Sequence, residues 1–129
     1  MASNVNTQII PVVSFSLPSS TSTNLNFSTK LTSHNYLAWK TQLLPLLNSQ
    51  DLTNFIDGTT PAPPTTIPSP DNAANLILNP AYQPWFKKDQ LLLFWILSSL
   101  SEEVFPYVTN VTSSYVAWQI LMQTFGVVS

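Results

Sequence analysis

A helical period first appears at Tyr36-Leu37-Ala38-Trp39-Lys40 and continues through Leu43-Leu44-Pro45-Leu46-Leu47. Apolar residues that recur every three or four positions fall on one face of a helix, and a small domain buries such a face. Pro45 has no N–H to offer the carbonyl four residues earlier, so we expect a kink there. The pattern predicts an amphipathic helix with four core anchors: Tyr36, Trp39, Leu43 and Leu47.

The longest helical pattern extends from about residue 80 to residue 99. Its main apolar stripe predicts four further core anchors: Trp85, Leu92, Leu93 and Ile96. Phe94 and Trp95 lie off that stripe, so apolar residues nearly encircle the middle of the helix. A helix that is apolar all round is either central in its domain or shared with a partner. We therefore predict a protein interface at Leu91, Phe94 and Trp95.

A last amphipathic pattern begins near residue 115 and predicts three core anchors: Trp118, Leu121 and Phe125. Before it, Ser101 is a good N-cap, with Glu102 and Glu103 in the first turn, where the helix dipole favours negative charge. Pro106 keeps that helix short. The sequence thus predicts an all-α fold, a small irregular bundle of three to five helices without a clear strand.

Three segments fall outside the helical patterns. Residues 1–30 are rich in Ser, Thr and Asn, and we interpret them as a disordered, flexible arm. Residues 61–78 contain five prolines, which forbid a helix and favour an extended backbone. This proline-rich loop is either an exposed connector or a ligand for an aromatic groove. The helical domain covers residues 31–126 and includes that loop, and residues 127–129 form a tail.

Charged residues are scarce in this chain of 129 residues: they make up 8%, and the net charge is −2. Neutralising a nucleic-acid backbone takes several clustered basic side chains, but the only basic pair is Lys87-Lys88. We therefore expect no direct nucleic-acid partner.

The apolar run at residues 91–97 is far shorter than the roughly 20 residues that span a bilayer, and the first residues lack the basic start of a signal peptide. A cytoplasmic protein without membrane contact is expected.

The sequence contains few residues that could form a catalytic or metal-binding site. The chain has no cysteine, and His34 is its single histidine. Such sites need titratable groups gathered at defined spacing, whereas the carboxylates here are scattered. Glu102 and Glu103 are adjacent, so they point to different sides of a helix. We predict no catalytic, metal-binding or cofactor-binding residue and no small-molecule ligand, and therefore no enzyme.

Four blocks of sequence follow one another between residues 31 and 125. The first is LTSHNYLAWK at residues 31–40, and the second joins LLPLL at 43–47 to FIDGT at 55–59 and PAPP at 61–64. The third joins NPAYQPW at 79–85 to DQLLL at 89–93 and WILSSLSEEV at 95–104, and the fourth is AWQIL at 117–121, ending at Phe125. In order and spacing, the blocks resemble the start of the Gag protein of plant copia-type LTR retrotransposons.

The resemblance implies a structural role. Such Gag proteins are similar to retroviral capsid proteins: they are helical, self-associate and build cytoplasmic particles around the RNA of the element. It implies that the chain is the N-terminal lobe of a capsid-like protein, forms a homo-oligomer with other Gag copies, and has no catalytic activity. Family members continue into further helices and a zinc knuckle, so we interpret residues 127–129 as the tail of a truncated chain. Two alternatives stay open: a domesticated helical adaptor that binds peptides, and a truncated element product without function.

Overall fold

The computed structural model of this chain describes residues 27–127, about half of which are helical. Among these residues, four α-helices carry the fold: α1 (Tyr36–Ser49), α2 (Thr53–Ile56), α3 (Tyr82–Ser98) and α4 (Ser114–Leu121). A 3₁₀ turn at Phe105–Val108 precedes α4, and a π-helical turn at Met122–Gly126 follows it. Two short strands, β1 (Thr66–Pro68) and β2 (Leu76–Leu78), lie between α2 and α3. The predicted helical bundle is thus confirmed in its coarse form.

The segment predicted to be a proline-rich loop, residues 61–78, contains an antiparallel hairpin, so the all-α prediction was wrong there. Its register is set by three residue pairs: Thr66 with Leu78, Ile67 with Ile77, and Pro68 with Leu76. Proline excludes a helix but is tolerated on an edge strand, and both strands of a two-stranded sheet are edges. The fold of the described residues is therefore mainly helical with one small sheet.

The helix α1 continues through Pro45, whose ring lies on the exposed side. The chain then reverses at Asp51, which has a φ of +58°, a left-handed conformation that residues other than glycine rarely adopt. After this reversal the Leu52 N–H donates to the carbonyl of Leu47 at 2.9 Å. Leu52 is buried as a result, and the chain enters α2 against the core.

The hydrophobic core collects residues from all four helices, and Trp39 of α1 is fully buried within it. The ring centroids of Trp39 and Trp118 lie 5.1 Å apart. Trp39 Nε1 donates to the Ser99 hydroxyl at 2.8 Å, and that hydroxyl donates to the carbonyl of Ile96 at 2.7 Å. A buried polar group is stable only when it is hydrogen-bonded, so this chain of bonds lets Trp39 join α1 to the end of α3.

The segment before α1 meets the chain that follows α3 at Leu31, which forms a parallel bridge with Leu100. The Leu31 N–H donates to the Ser99 carbonyl at 2.8 Å, and the Ser101 N–H donates to the Leu31 carbonyl at 3.0 Å. The Leu31 side chain is fully buried. This bridge attaches the segment before α1 to the helical body.

The side chain of Gln42 on α1 holds both backbone groups of Thr29. Its Oε1 accepts from the Thr29 N–H at 2.9 Å, and its Nε2 donates to the Thr29 carbonyl at 2.8 Å. Residues 27–30, predicted to belong to the flexible arm, are therefore bound to α1. The remainder of that arm, residues 1–26, and residues 128–129 of the tail lie outside the described residues.

A buried carboxylate fixes the start of α4 against α3. Asp89 is almost fully buried, and its Oδ1 accepts from the Ser114 N–H at 3.2 Å and from the Ser114 hydroxyl. The Ser113 hydroxyl caps the same helix by accepting from the Val116 N–H at 3.2 Å. Negative charge is favoured where the free N–H groups of a helix begin, which accounts for a carboxylate at this position.

The Tyr36 hydroxyl is buried and has no hydrogen-bond partner among the described residues. Burial raises its pKa above the ordinary value of 10.0. Because an unpaired buried hydroxyl is destabilising, Tyr36→Phe should raise the free energy of unfolding by on the order of 1 kcal/mol near neutral pH. Urea unfolding of the two proteins measures the difference.

The difference in the free energy of unfolding between the wild-type and Tyr36→Phe proteins should increase at alkaline pH. The folded pKa of Tyr36 lies above its unfolded value, so the unfolded state releases the proton first as pH rises. The wild-type chain therefore loses stability above about pH 10, relative to the Tyr36→Phe chain. An unfolding difference that is unchanged between pH 7 and pH 11 would contradict this assignment.

Candidate protein-interaction surface

The outer face of α3 carries an apolar ridge made of Leu91, Phe94 and Leu97, here called the α3 ridge. These residues are three positions apart, so they lie nearly above one another along the helix. Phe94 is 53% exposed, whereas Leu91 and Leu97 are partly buried against the core. An exposed aromatic side chain that is flanked by apolar neighbours is typical of a protein contact.

Polar residues border the α3 ridge. Gln90 Nε2 donates to the Thr112 carbonyl at 3.1 Å, which ties this side of α3 to the loop before α4. Lys87 is exposed and lies two helical turns before Phe94. An apolar centre with a polar border is the usual anatomy of a protein–protein interface.

The structure removes Trp95 from the predicted interface. Its side chain is 4% exposed and belongs to the core, so the prediction that it faces a partner was wrong. Consecutive residues of a helix point about 100° apart, and therefore Trp95 turns inward where Phe94 turns outward. Of the three predicted interface residues, Phe94 is the exposed one, and Leu91 lies at the border of core and surface.

Ten of the eleven predicted core anchors are buried: Tyr36, Trp39, Leu43, Leu47, Leu92, Leu93, Ile96, Trp118, Leu121 and Phe125. Trp85 is partly buried at the edge of the core. Its Nε1 donates to the Thr60 carbonyl at 2.9 Å, and its ring stacks on Phe55 with centroids 5.7 Å apart. Trp85 thus fixes the chain that leads from α2 into the hairpin.

Three polar side chains meet near the start of α1, but they do not form a catalytic relay. The Ser33 hydroxyl lies 2.9 Å from His34 Nδ1, and Glu103 Oε2 accepts from the Ser33 backbone N–H at 3.1 Å. A nucleophile–base–carboxylate relay needs the carboxylate on the imidazole, whereas this one bonds to backbone. Within residues 27–127, His, Asp and Glu also form no group of three that could hold a metal ion.

Comparison with known protein families matches residues 18–64 to the family described as the Gag polypeptide of LTR copia-type. Two curated relatives from Arabidopsis thaliana match over 105 residues each: the retrovirus-related Pol polyprotein from transposon RE2, at 38% identity, and that from transposon RE1, at 37%. This chain carries a copia-type Gag region. Each alignment covers 80% of the chain but 7% of the relative, so the chain spans a small part of those polyproteins. No solved structure matches the chain.

The sequence blocks of this Gag region meet in its core. The block at residues 31–40 contributes Trp39, and the block at 95–104 contributes Ser99, which accepts the Trp39 hydrogen bond. The same two blocks form the backbone bridge between Leu31 and Leu100. The segments that carry the family resemblance therefore include contacts that hold the fold together.

One exposed apolar element of the Gag region was missed by sequence reasoning. Leu76, Ile77 and Leu78 form β2, and all three are exposed. The signal was a short apolar run between two asparagines, Asn75 and Asn79. The prolines on either side favoured a loop, so the strand was not predicted.

None of the helices within residues 27–127 has the length and hydrophobicity that a membrane span requires.

Proposed function

We propose that this Gag region is a non-catalytic structural domain that binds other copies of itself, as one lobe of a capsid-like cytoplasmic particle. The observation that carries the proposal is the exposure of Phe94 at the centre of the α3 ridge. Aromatic side chains at the centre of an interface commonly contribute most of the binding energy. Membership of a Gag family supports a role in assembly for such a surface.

The scarcity of charge supports the same function. A surface that meets its own copy across a two-fold axis places any charge close to that axis near its identical copy, which is unfavourable. The α3 ridge itself carries no charged residue, although the exposed Lys88 lies about one turn before Leu91 at its end. Partners other than further Gag copies, such as nucleic acid or a membrane, would need the basic clusters that this region lacks. The proposal concerns this region alone and not the longer polyproteins of its relatives.

Phe94→Ser should weaken self-association of the full chain. We expect sedimentation velocity over a range of concentrations to show the wild-type chain associating, and the variant to need at least about tenfold more protein, equal to roughly 1.4 kcal/mol. The matched control is Leu37→Ser on α1, which also removes an exposed apolar side chain, one that is 66% exposed. A wild-type chain that stays monomeric at high concentration would overturn the proposal, and so would equal effects of the two substitutions.

A further inference from the structure

The hairpin exposes an apolar, uncharged edge on β2. Leu76 is 66% exposed, Ile77 40% and Leu78 81%, and none of the helices within residues 27–127 packs extensively on either strand. Soluble domains usually protect such an edge with charged side chains, with proline or with a covering element. We infer that β2 pairs with β2 of a second copy of this chain, antiparallel about a two-fold axis at Ile77. The inference rests on the proposed self-association and names one contact that produces it.

The hydrogen bonds within the hairpin show which backbone groups of β2 point outward. Two bonds frame the strands: the Ser69 N–H donates to the Asn75 carbonyl at 2.8 Å, and the Asn79 N–H donates to the Thr65 carbonyl at 2.9 Å. Hydrogen-bonded and non-bonded residue pairs alternate along an antiparallel ladder, so Ile67 and Ile77 form the bonded pair between them. The backbone N–H and C=O groups of Leu76 and Leu78 therefore point away from β1.

The two edges of the hairpin differ in what they offer to another strand. On β1 the outward positions are Thr66 and Pro68, and Pro68 has no N–H to donate. On β2 the outward positions are Leu76 and Leu78, each with a donor and an acceptor. No hydrogen bond from outside the hairpin reaches them within residues 27–127. β2 is therefore the edge that can accept a further strand.

Two copies of β2 are self-complementary in this geometry. When the copies are antiparallel and centred on Ile77, Leu76 of each chain lies opposite Leu78 of the other. Both of these pairs are bonded pairs, because both residues direct their backbone groups outward. Ile77 then lies opposite its own copy as a non-bonded pair, in which the side chains approach most closely. Pro80 limits the ladder, since it occupies the next bonded position after Leu78 and cannot donate there.

Charge favours a second copy over a charged partner. In a two-fold contact the same strand forms both sides of the interface, so an apolar and uncharged strand suits it best. Between residues 61 and 81 the one charged residue is Asp71, which lies outside both strands. An acidic or basic peptide would find no complementary side chain on β2.

The β2 contact and the α3 ridge lie on different elements of the chain. A two-fold contact alone joins chains in closed pairs, whereas a second, independent contact allows the pairs to extend into a larger assembly. A chain that carries both surfaces can therefore associate beyond a dimer. The two contacts can be removed separately, which makes them testable one at a time.

A single introduced thiol tests the register, because the chain has no cysteine of its own. In full-length Ile77→Cys, the two thiols lie at the two-fold axis, where opposite Cα atoms are about 4.5 Å apart and within disulfide range. We expect rapid formation of covalent dimers on mild oxidation. The matched control is Leu76→Cys in the same strand, whose two copies are on the order of 8 Å apart and beyond that range. The Ile77→Cys chain that also carries Phe94→Ser should still cross-link.

A pair of lysines tests the contribution of the strand to association. Replacing Leu76 and Leu78 together by lysine places like charges opposite each other at both ends of the ladder, and Thr66→Lys on β1 is the control. Sedimentation should show at least tenfold weaker association for the double variant and no change for the control. If the wild-type chain associates but Ile77→Cys cross-links no faster than Leu76→Cys, β2 pairing is overturned and the proposed function stands. A wild-type chain that never associates overturns both.

Discussion

Trp95→Ala should lower the free energy of unfolding by about 3–5 kcal/mol, because it removes a large buried side chain and leaves a cavity. Trp95 is 4% exposed and lies in the core with Leu92 and Ile96 of the same helix. Domains of this size are stable by only about 5–15 kcal/mol, so the loss would bring the protein close to unfolding. Urea unfolding followed by far-ultraviolet circular dichroism measures it.

The neighbouring residue provides the control. Phe94→Ser should change the free energy of unfolding by less than about 1 kcal/mol, since its side chain is mostly in water. Trp95→Phe should cost less than Trp95→Ala, because it keeps most of the apolar volume and removes an indole N–H that has no partner among the described residues. A chain in which Phe94→Ser unfolds the protein and Trp95→Ala does not would reverse the assignment of core and surface on α3.

Helical spacing locates most of the core of this protein from the sequence. Leu43 and Leu47 on α1 lie one turn apart, as do Leu92 and Ile96 on α3, and such pairs share a face whatever the tertiary structure is. Spacing does not say how many neighbours surround a helix. The buried residues of α3 spread over more than one stripe, and Trp95 belongs to the additional stripe. Periodicity alone therefore could not tell whether Trp95 is buried in the core or faces a partner.

The polar contacts within the core leave no periodic signal. Asp89 follows two lysines and looks like part of a solvated face, yet it is buried against the start of α4. Burying a carboxylate is favourable only when donors are supplied, and the donors come from Ser114, 25 residues later. The contact between Asp89 and Ser114 therefore depends on the tertiary fold.

The hairpin was not predicted because strands of three residues are too short to show an alternating pattern.

Trp39→Ala should also lower the free energy of unfolding by about 3–5 kcal/mol, for the combined loss of a buried ring and its packing on Trp118. Trp39 additionally bonds α1 to Ser99 at the end of α3. Trp39→Phe separates these contributions, since it keeps an aromatic ring and removes the N–H. Chemical unfolding of both variants gives the two values.

A double-mutant cycle measures the hydrogen bond itself. Ser99→Ala leaves the Trp39 N–H buried without an acceptor, which should cost about 1–3 kcal/mol. When Trp39→Phe is already present, the N–H is absent, so Ser99→Ala should cost less by a coupling of about 0.5–3 kcal/mol. The Ser99 hydroxyl still donates to the Ile96 carbonyl in the Phe background, so the coupling isolates the bond between the two sequence blocks. Additive effects would show that the hydrogen bond between Trp39 and Ser99 adds no measurable stability to the contact between the blocks at residues 31–40 and 95–104.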